Sequence, residues 1–265
     1  MTSFSTRGTL SANAAPELPS AHNEFMDLTD RQKSLLRAVI EKYIETAEPI
    51  GSETVEKEAK LGVSPATIRN EMVRLTALGY LKQPHTSAGR IPTSMGMKFY
   101  VDQLMEEKAL SLKDEVAIKE ELNEPNTRFD KLLRHTAKAL ADQTKSLAIA
   151  TDREGDIYAA GMANILEMPE FFDIDITKAV LSMLDKVEMM NQITGMLTPE
   201  DQLKILFGEE LGMPFLEPCG FVVIRYQMPN HKGVLGVIGP SRLNFPVVIP
   251  TMRYFAQLLS EMQQA

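Results

Sequence analysis

The sequence predicts a multidomain α+β chain: a small helical head, a helical connector and a mixed body. Three observations carry this. Between Ser52 and Leu78 the punctuation spells one helix, a turn of about four residues and a second helix. Two further helical stretches run on to residue 145. From Ser146 short apolar runs alternate with helical patterns, as hairpins with flanking helices do.

Composition narrows the class. A chain of 265 residues holds one large or two modest domains, and 44% hydrophobic content is ordinary for a chain with a core. The single cysteine, Cys219, excludes an intrachain disulfide and suits a reducing, cytoplasmic setting. No apolar run approaches the roughly 20 residues a bilayer demands, so no membrane partner is expected. The net charge is −8, yet Leu61–Lys98 holds five cations (Arg69, Arg74, Lys82, Arg90, Lys98) against one acid, Glu71. Residues 1–26 are rich in Ser, Ala and Pro and lack an apolar segment, which predicts a flexible N-terminal tail. Arg7 is its only Lys/Arg, so a DNA-contacting arm is the weaker reading.

The elements follow in order. "LTDRQKSLLRAVIEKYIETAEPIG" is a helix capped by Thr29, with Asp30 at its positive end and Leu35, Leu36, Val39, Ile40, Tyr43 and Ile44 at helical spacing. Pro49 and Gly51 end it. Ser52 caps "ETVEKEAK", which Gly62 closes, and Ser64 caps the next helix with Pro65 at its first position. In that helix Ile68, Met72, Leu75 and Gly79 form a core side. Opposite them lie Ala66, Asn70, Val73 and Ala77, flanked by Thr67, Arg69 and Arg74. An ordinary solvated face carries long charged residues, and a helical hairpin in a core is the bland alternative. This face is small at its centre with arginines at its edges, which suits a DNA major groove. Asn pairs bidentately with adenine, Arg with guanine, and Ala or Val methyls touch thymine. Ser64 and Thr67 lie by the helix N-terminus, where a phosphate fits. "YLKQ" then reads as a strand, "PHTSAG" as a loop and "RIP" as a return strand. A hairpin after a recognition helix is the wing of a winged-helix module, in which His85, Thr86, Ser87, Gly89 and Arg90 are candidate backbone contacts, Arg90 also for the minor groove. The bland alternative here is a solvated hairpin tip.

"SPATIRNEMVRLTALGYLKQPHTSAGRIPT" with "FYVDQLM" after it resembles the DNA-binding domain of the HrcA family of heat-inducible transcription repressors. "GMANILEMPEFFD" from Gly161 and "GVLGVIGPSRLNFPVVIP" from Gly233 extend the likeness over most of the chain after Leu28. The resemblance implies a dimeric repressor with a winged helix-turn-helix head and a GAF-like α+β body. It further implies an inverted-repeat operator in double-stranded DNA upstream of chaperone genes, and a GroEL-type chaperonin that supports the active state. Typical members carry an extra dimerising segment in the body. Here "SLAIATDREGDIYAAGMANIL" passes almost directly from the first strand to the Gly-Met block, so several tens of those residues are missing. Where the family usually reads Arg-Met-Asp-Tyr, this chain has Arg242-Leu243-Asn244-Phe245.

The division expected is a tail over 1–26, a winged-helix domain over 27–105, a connector over 106–145 and a GAF-like regulatory and dimerisation domain over 146–265. A helix is predicted from Thr93 through "KFYVDQLMEEK". In the connector, Leu112, Val116, Ile118, Leu122, Phe129, Leu132, Leu133 and Leu140 exceed a spacer's needs and predict packing across a homodimer. The body reads as strands "SLAIAT" and "DIYAAG", one helix "DITKAVLSMLDKVEMM", strands "GFVVIRYQ" and "GVLGVIG", and a closing helix containing Pro250. Gly233, Gly236 and Gly239 match neither the dinucleotide nor the P-loop pattern and predict close strand packing and a turn. His22, His85, His135 and His231 are scattered, so no metal set is expected. Cys219 has no neighbouring base and reads as a small buried residue. Glu209 and Glu210, being adjacent, are expected on solvated faces. The 16 methionines are expected to fill core or interface gaps. With no nucleophile-base or metal constellation, neither catalysis nor a cofactor is expected. The alternative to a chaperone-gene repressor is a metabolite-responsive winged-helix regulator whose body binds a small ligand.

Overall fold

Thr29 starts the first helix, α1 (Asp30–Thr46), through a capping box in which Thr29 and Gln32 satisfy each other's backbone N–H groups. The computed structural model describes residues 27–59, 62–122, 127–198 and 201–262, and the expected tail lies outside them. Helix α1 ends at Ala47 in the left-handed conformation, two residues before Pro49. Next come α2 (Ser52–Ala59), which begins at Ser52 itself, and α3 (Pro65–Ala77). Two short antiparallel strands, β1 (Leu81–Lys82) and β2 (Ile91–Pro92), form the wing's base. Ile50 exchanges both backbone hydrogen bonds with Arg90 at 2.9 Å, adding a third, bridge-like strand.

Thr93 caps α4 (Ser94–Phe99), which runs into a π-helical turn over Tyr100–Leu104 and stops there. The expected helix through Lys108 is therefore too long. Met105 turns extended, and the Lys108 N–H donates to the Pro246 carbonyl of the body at 2.8 Å. Helices α5 (Leu112–Leu122) and α6 (Phe129–Thr144) follow.

The body is built on a five-stranded antiparallel sheet in the order β4-β3-β7-β6-β5. Its strands are β3 (Leu147–Thr151), β4 (Ile157–Ala160), β5 (Leu203–Phe207), β6 (Cys219–Gln227) and β7 (Lys232–Pro240). Helices α7 (Met162–Leu166), α8 (Ile174–Leu184), α9 (Val187–Gly195), α10 (Gly208–Leu211) and α11 (Phe245–Glu261) complete it, with a 3-10 turn over Pro169–Phe172. The single helix expected over "DITKAVLSMLDKVEMM" is broken at Asp185–Lys186 into α8 and α9. Strand β5 had no counterpart in the sequence reading.

Alternate strand residues face opposite layers. Ala148, Ala150, Val222, Ile224, Leu235 and Val237 face α6 and α11, while Leu147, Ile149, Phe221, Val223, Val234 and Ile238 face the α8–α9 side. Apolar side chains on both faces explain why "GFVVI" is a continuous apolar run rather than an alternating one. Gly233 and Gly236 permit close strand approach: a Cβ would lie 1.9 Å from the Thr151 carbonyl oxygen and 2.7 Å from the Ile149 side chain respectively.

Residues 106–145 are more than a spacer. Helix α6 lies directly on β3 and β4, and Leu132, Leu133, Ala137, Leu140 and Ala141 are buried there. Ile118 and Leu122 join the same core, so most of the apolar surface expected at a dimer seam is used within the chain. Leu112 and Val116 do remain exposed. One hydrophobic core runs unbroken from the head (Leu36, Ile40, Leu75, Tyr100) through α5 and α6 to α11.

Candidate nucleic-acid interface

Helix α3 is started by Ser64, whose Oγ accepts the Thr67 N–H at 3.3 Å and contacts Thr67 Oγ1 at 3.1 Å. The Ser64 hydroxyl thus has a capping role, and the Thr67 hydroxyl is bonded to it. Ile68, Met72 and Leu75 are buried, while Ala66, Asn70, Val73 and Ala77 are exposed with Arg69 and Arg74 beside them. The predicted division of faces is the one the helix shows. Val73 is half exposed, an apolar side chain left in water at the centre of the outward face.

The wing is short. His85, Thr86 and Ser87 are exposed at its tip, where Gln83 Nε2 donates to the Thr86 and Ala88 carbonyls at 2.9 and 3.0 Å. Gly89 has a packing reason to be glycine: a Cβ there would sit 2.4 Å from the Ile50 backbone. Arg90 is half-buried, and its Nε donates to Thr76 Oγ1 at 3.1 Å. That bond ties the wing to α3 through Nε. A crevice of about 420 Å³ separates α2, α3 and the wing, lined among others by Ser52, Thr54, Arg69, Val73, Thr86 and Arg90. Sequence reasoning missed Ser52 and Thr54 as part of this face, because only the helix pairing turns the start of α2 toward the wing.

The five cations of the basic stretch do not share one duty. Arg69 is exposed and carries no ion pair among the described residues. Arg74 pairs with Glu71 at 3.1 Å. Lys82 pairs with Glu209 at 3.3 Å, and Lys98 with Glu210, both acids lying on α10 of the body. Ser94 also donates to Glu209 at 2.8 Å, the first of the interactions that hold that carboxyl below the ordinary glutamate range. Glu209 and Glu210 are exposed, as expected, and they also pair with the head across the junction. Their partners differ: Glu209 meets Lys82 of β1 and Ser94 of α4, and Glu210 meets Lys98 of α4.

A second junction lies at Arg242, which forms a two-pronged ion pair with Glu170 (2.6 and 2.9 Å) and donates to the Ile44 carbonyl in the last turn of α1 at 3.0 Å. Leu243 and Phe245 are buried, and Phe245 meets Phe207 edge-on at 6.3 Å. A hydroxyl at Phe245 would have no water to meet. Cys219 is buried, and burial pushes its thiol up to about 12, so it is a core residue. Among the described residues one trio could share a metal ion, Asp152, Glu154 and Asp156 in the β3–β4 turn. There Asp152 Oδ1 already accepts the Glu154 and Asp156 N–H groups at 2.9 Å.

Comparison with known proteins bears on this arrangement. The winged helix-turn-helix DNA-binding domain of the HrcA transcription repressor matches residues 27–105, and the HrcA protein C terminal domain matches residues 97–249. The chain belongs to the HrcA family. HrcA of Symbiobacterium thermophilum is 28% identical over 338 aligned positions, covering 89% of this chain and 99% of the relative. HrcA of Carboxydothermus hydrogenoformans is 28% identical over 335, covering 88% and 98%. Both are described as heat-inducible transcription repressors. Since 89% of 265 residues is about 236, roughly 100 of the 338 aligned positions have no counterpart in this chain. The shortening read from the sequence is real and large. A crystal structure described only as a hypothetical protein shares the fold, with a TM-score of 0.69 at 19% identity over 89% of this chain and 98% of its own. The HrcA family is one of transcription repressors rather than enzymes, and residues 27–105 are its DNA-binding head. Among the described residues no helix is long and apolar enough to cross a membrane.

Proposed function

We propose that this chain is a cytoplasmic homodimeric repressor of chaperone genes that binds an inverted-repeat operator and depends on a GroEL-type chaperonin for its active state. The observation that carries the DNA-reading part is the outward face of α3: Asn70 and Arg69 exposed beside Val73, next to a wing presenting His85, Thr86 and Ser87. Asn and Arg are the side chains that make bidentate contacts with adenine and guanine. Family membership supports the heat-gene target and the chaperonin partner. A five-stranded antiparallel sheet with helices on both faces supports the GAF-like reading of the body. The domain division that goes with it is a head over 27–105 and a body that takes in α6, since α6 lies on the sheet. Genome-wide mapping of bound sites tests the target: enrichment at chaperone promoters is expected, and its absence sinks the reading. Operator binding after a brief heat step, with and without chaperonin and nucleotide, tests the chaperonin. Recovery only with chaperonin is expected.

Two-fold DNA asks for a two-fold protein. With the apolar faces of α6 occupied and the family's extra segment missing, the exposed Met162, Leu166, Phe172 and Ile174 of α7, the 3-10 turn and α8 are the body's candidate surface for a second copy. Sedimentation should show a dimer at micromolar concentration, and Phe172→Asp with Ile174→Asp should shift it to monomer. A monomer throughout, with and without operator, counts against dimeric binding.

An open cleft of about 860 Å³ between head and body, lined by Arg37, Tyr100, Lys145 and Arg242 among others, supports the second reading, a metabolite-responsive regulator. A small molecule that raises the melting temperature and releases DNA would favour it.

A further inference from the structure

Glu71 is the lone acid of the basic stretch, and the structure buries it. Its side chain is 4% exposed, on the flank of α3 that faces the first turn of α1. Oε1 accepts from two arginines at once, Arg31 Nη2 at 2.6 Å and Arg74 Nη1 at 3.1 Å. Oε2 accepts from Gln32 Nε2 at 3.1 Å, so the carboxylate is held at both oxygens. Gln32 is itself fixed by its capping box with Thr29. The two arginines remain open to solvent, with Arg31 51% and Arg74 65% exposed.

We propose that Arg31 and Arg74, held together by Glu71, form a clamp for one phosphate of the DNA backbone, extending the interface from α3 onto the first turn of α1. The inference rests on the DNA-binding reading above and adds to it a residue, Arg31, that lies outside the helix-turn-helix and wing. Two guanidiniums repel each other in isolation; a shared buried carboxylate brings them to one point and leaves the cluster with a single uncompensated positive charge. One phosphodiester neutralises that charge. Arg offers donors in a planar fork, so each side chain spends one edge on Glu71 and keeps another for an oxyanion. The carboxylate is too buried to meet the phosphate itself. Arg74 flanks the face proposed to enter the major groove, whose rims are the backbone phosphates. Glu71 is thus a positioning residue, acting through the two arginines.

The test uses the full chain and a random-sequence duplex, because a phosphate contact does not depend on base sequence. The affinity is measured against salt for the wild type, Arg31→Ala, Arg74→Ala, the double variant and Glu71→Gln. Losing one phosphate should reduce the slope of log affinity against log salt by about 0.9 per head. Each arginine variant should show a reduction up to that size, and the double variant little more, because both grip one phosphate. Glu71→Gln removes a negative charge, so simple charge counting expects tighter binding. The clamp expects weaker binding with a shallower slope. Tighter binding by Glu71→Gln, an unchanged slope for Arg31→Ala, or a slope loss near two phosphates' worth (about 1.8) in the double variant would each overturn the clamp. Should circular dichroism show Glu71→Gln unfolded, the surface variants Arg31→Ala and Arg74→Ala decide alone. A wild type that binds neither the random duplex nor a duplex selected from a random pool sinks the DNA-binding reading itself. Wild-type binding that Arg31→Ala leaves unaltered sinks the clamp alone.

Discussion

Asn70 and Arg69 stand exposed on α3 while Ile68 and Met72, their neighbours in sequence, are buried. Helical geometry alone makes that division, and it leaves the two outward residues placed for the base reading proposed above. Asn70→Ala or Arg69→Ala should weaken operator binding by about 1–3 kcal/mol per lost bidentate contact. Random DNA should be affected less, since phosphate contacts dominate there. Competition binding on the two duplexes checks this, and equal losses on both would mean that neither residue reads bases. Glu71 has a different signature. Burial opposes its charge, but the hydrogen bonds from Arg31 and Gln32 and the charges of Arg74 and Arg31 outweigh it, so its pKa lies below the ordinary 4.5. A carboxylate with a depressed folded pKa contributes stability that is present above its unfolded value and lost as pH falls through the folded value. Wild-type stability should therefore decline as pH drops below about 4.5, and Glu71→Gln should remove part of that decline. Denaturant titrations at several pH values measure the difference.

At the scale of elements, the single-turn α10 does what the sequence did not announce. Its Glu209 holds Lys82 and Ser94, and its Glu210 holds Lys98, so the base of the wing and α4 are tied to the body. These are exposed pairs, each contributing little in water and screened by salt. They matter for charge: each acid offsets a lysine that would otherwise add to the positive charge of the head. The double variant Glu209→Gln, Glu210→Gln should bind random DNA a few-fold more tightly at low salt, with the gain fading at high ionic strength. Weaker or unchanged binding at low salt would show that the acids orient the head rather than compete with phosphate.

Over the whole molecule, the two hydrophobic cores differ in what they join. One is continuous from the head to α11, so loosening of the head on heating is expected to disturb α5 and α6 as well. The other lies under α8 and α9 on the far side of the sheet and draws on Met183 and Met190, with Met168, Met196 and Met213 at its margin. Thioether side chains pack adaptably and specify a unique arrangement weakly. On mild heating that outer layer should open first. Cys219 belongs to it and serves as a built-in reporter. Its labelling by a thiol reagent should be negligible in the native state and should rise at a temperature below that at which α1 and α3 melt. Simultaneous labelling and loss of helix signal would mean that the molecule opens as one unit.

Local signals made much of this legible. Ser64-Pro65 starts α3, Thr29 with Gln32 starts α1, and helical spacing separates Ile68, Met72 and Leu75 from Asn70 and Val73; each depends on residues within two turns of one another. The strand runs of β3, β4, β6 and β7 were legible for the same reason. Strand β5 was not: "LKILF" is placed by pairing with β6, Leu203 lying opposite Ile224, a contact between segments about twenty residues apart. The sequence could not say where a charge points once the chain has folded. Glu71 meets Arg31 across 40 residues, Lys82 meets Glu209 across 127, and Arg242 reaches Ile44 across 198. Nor could it show that α6 lies on the sheet rather than against a second copy, because an apolar stripe records that a helix is covered and not by what. The amino-acid order alone determined the head's helices, their outward face and the family. The tertiary structure decided which cations are ion-paired and which residues tie head to body, because those depend on contacts between segments far apart in the chain.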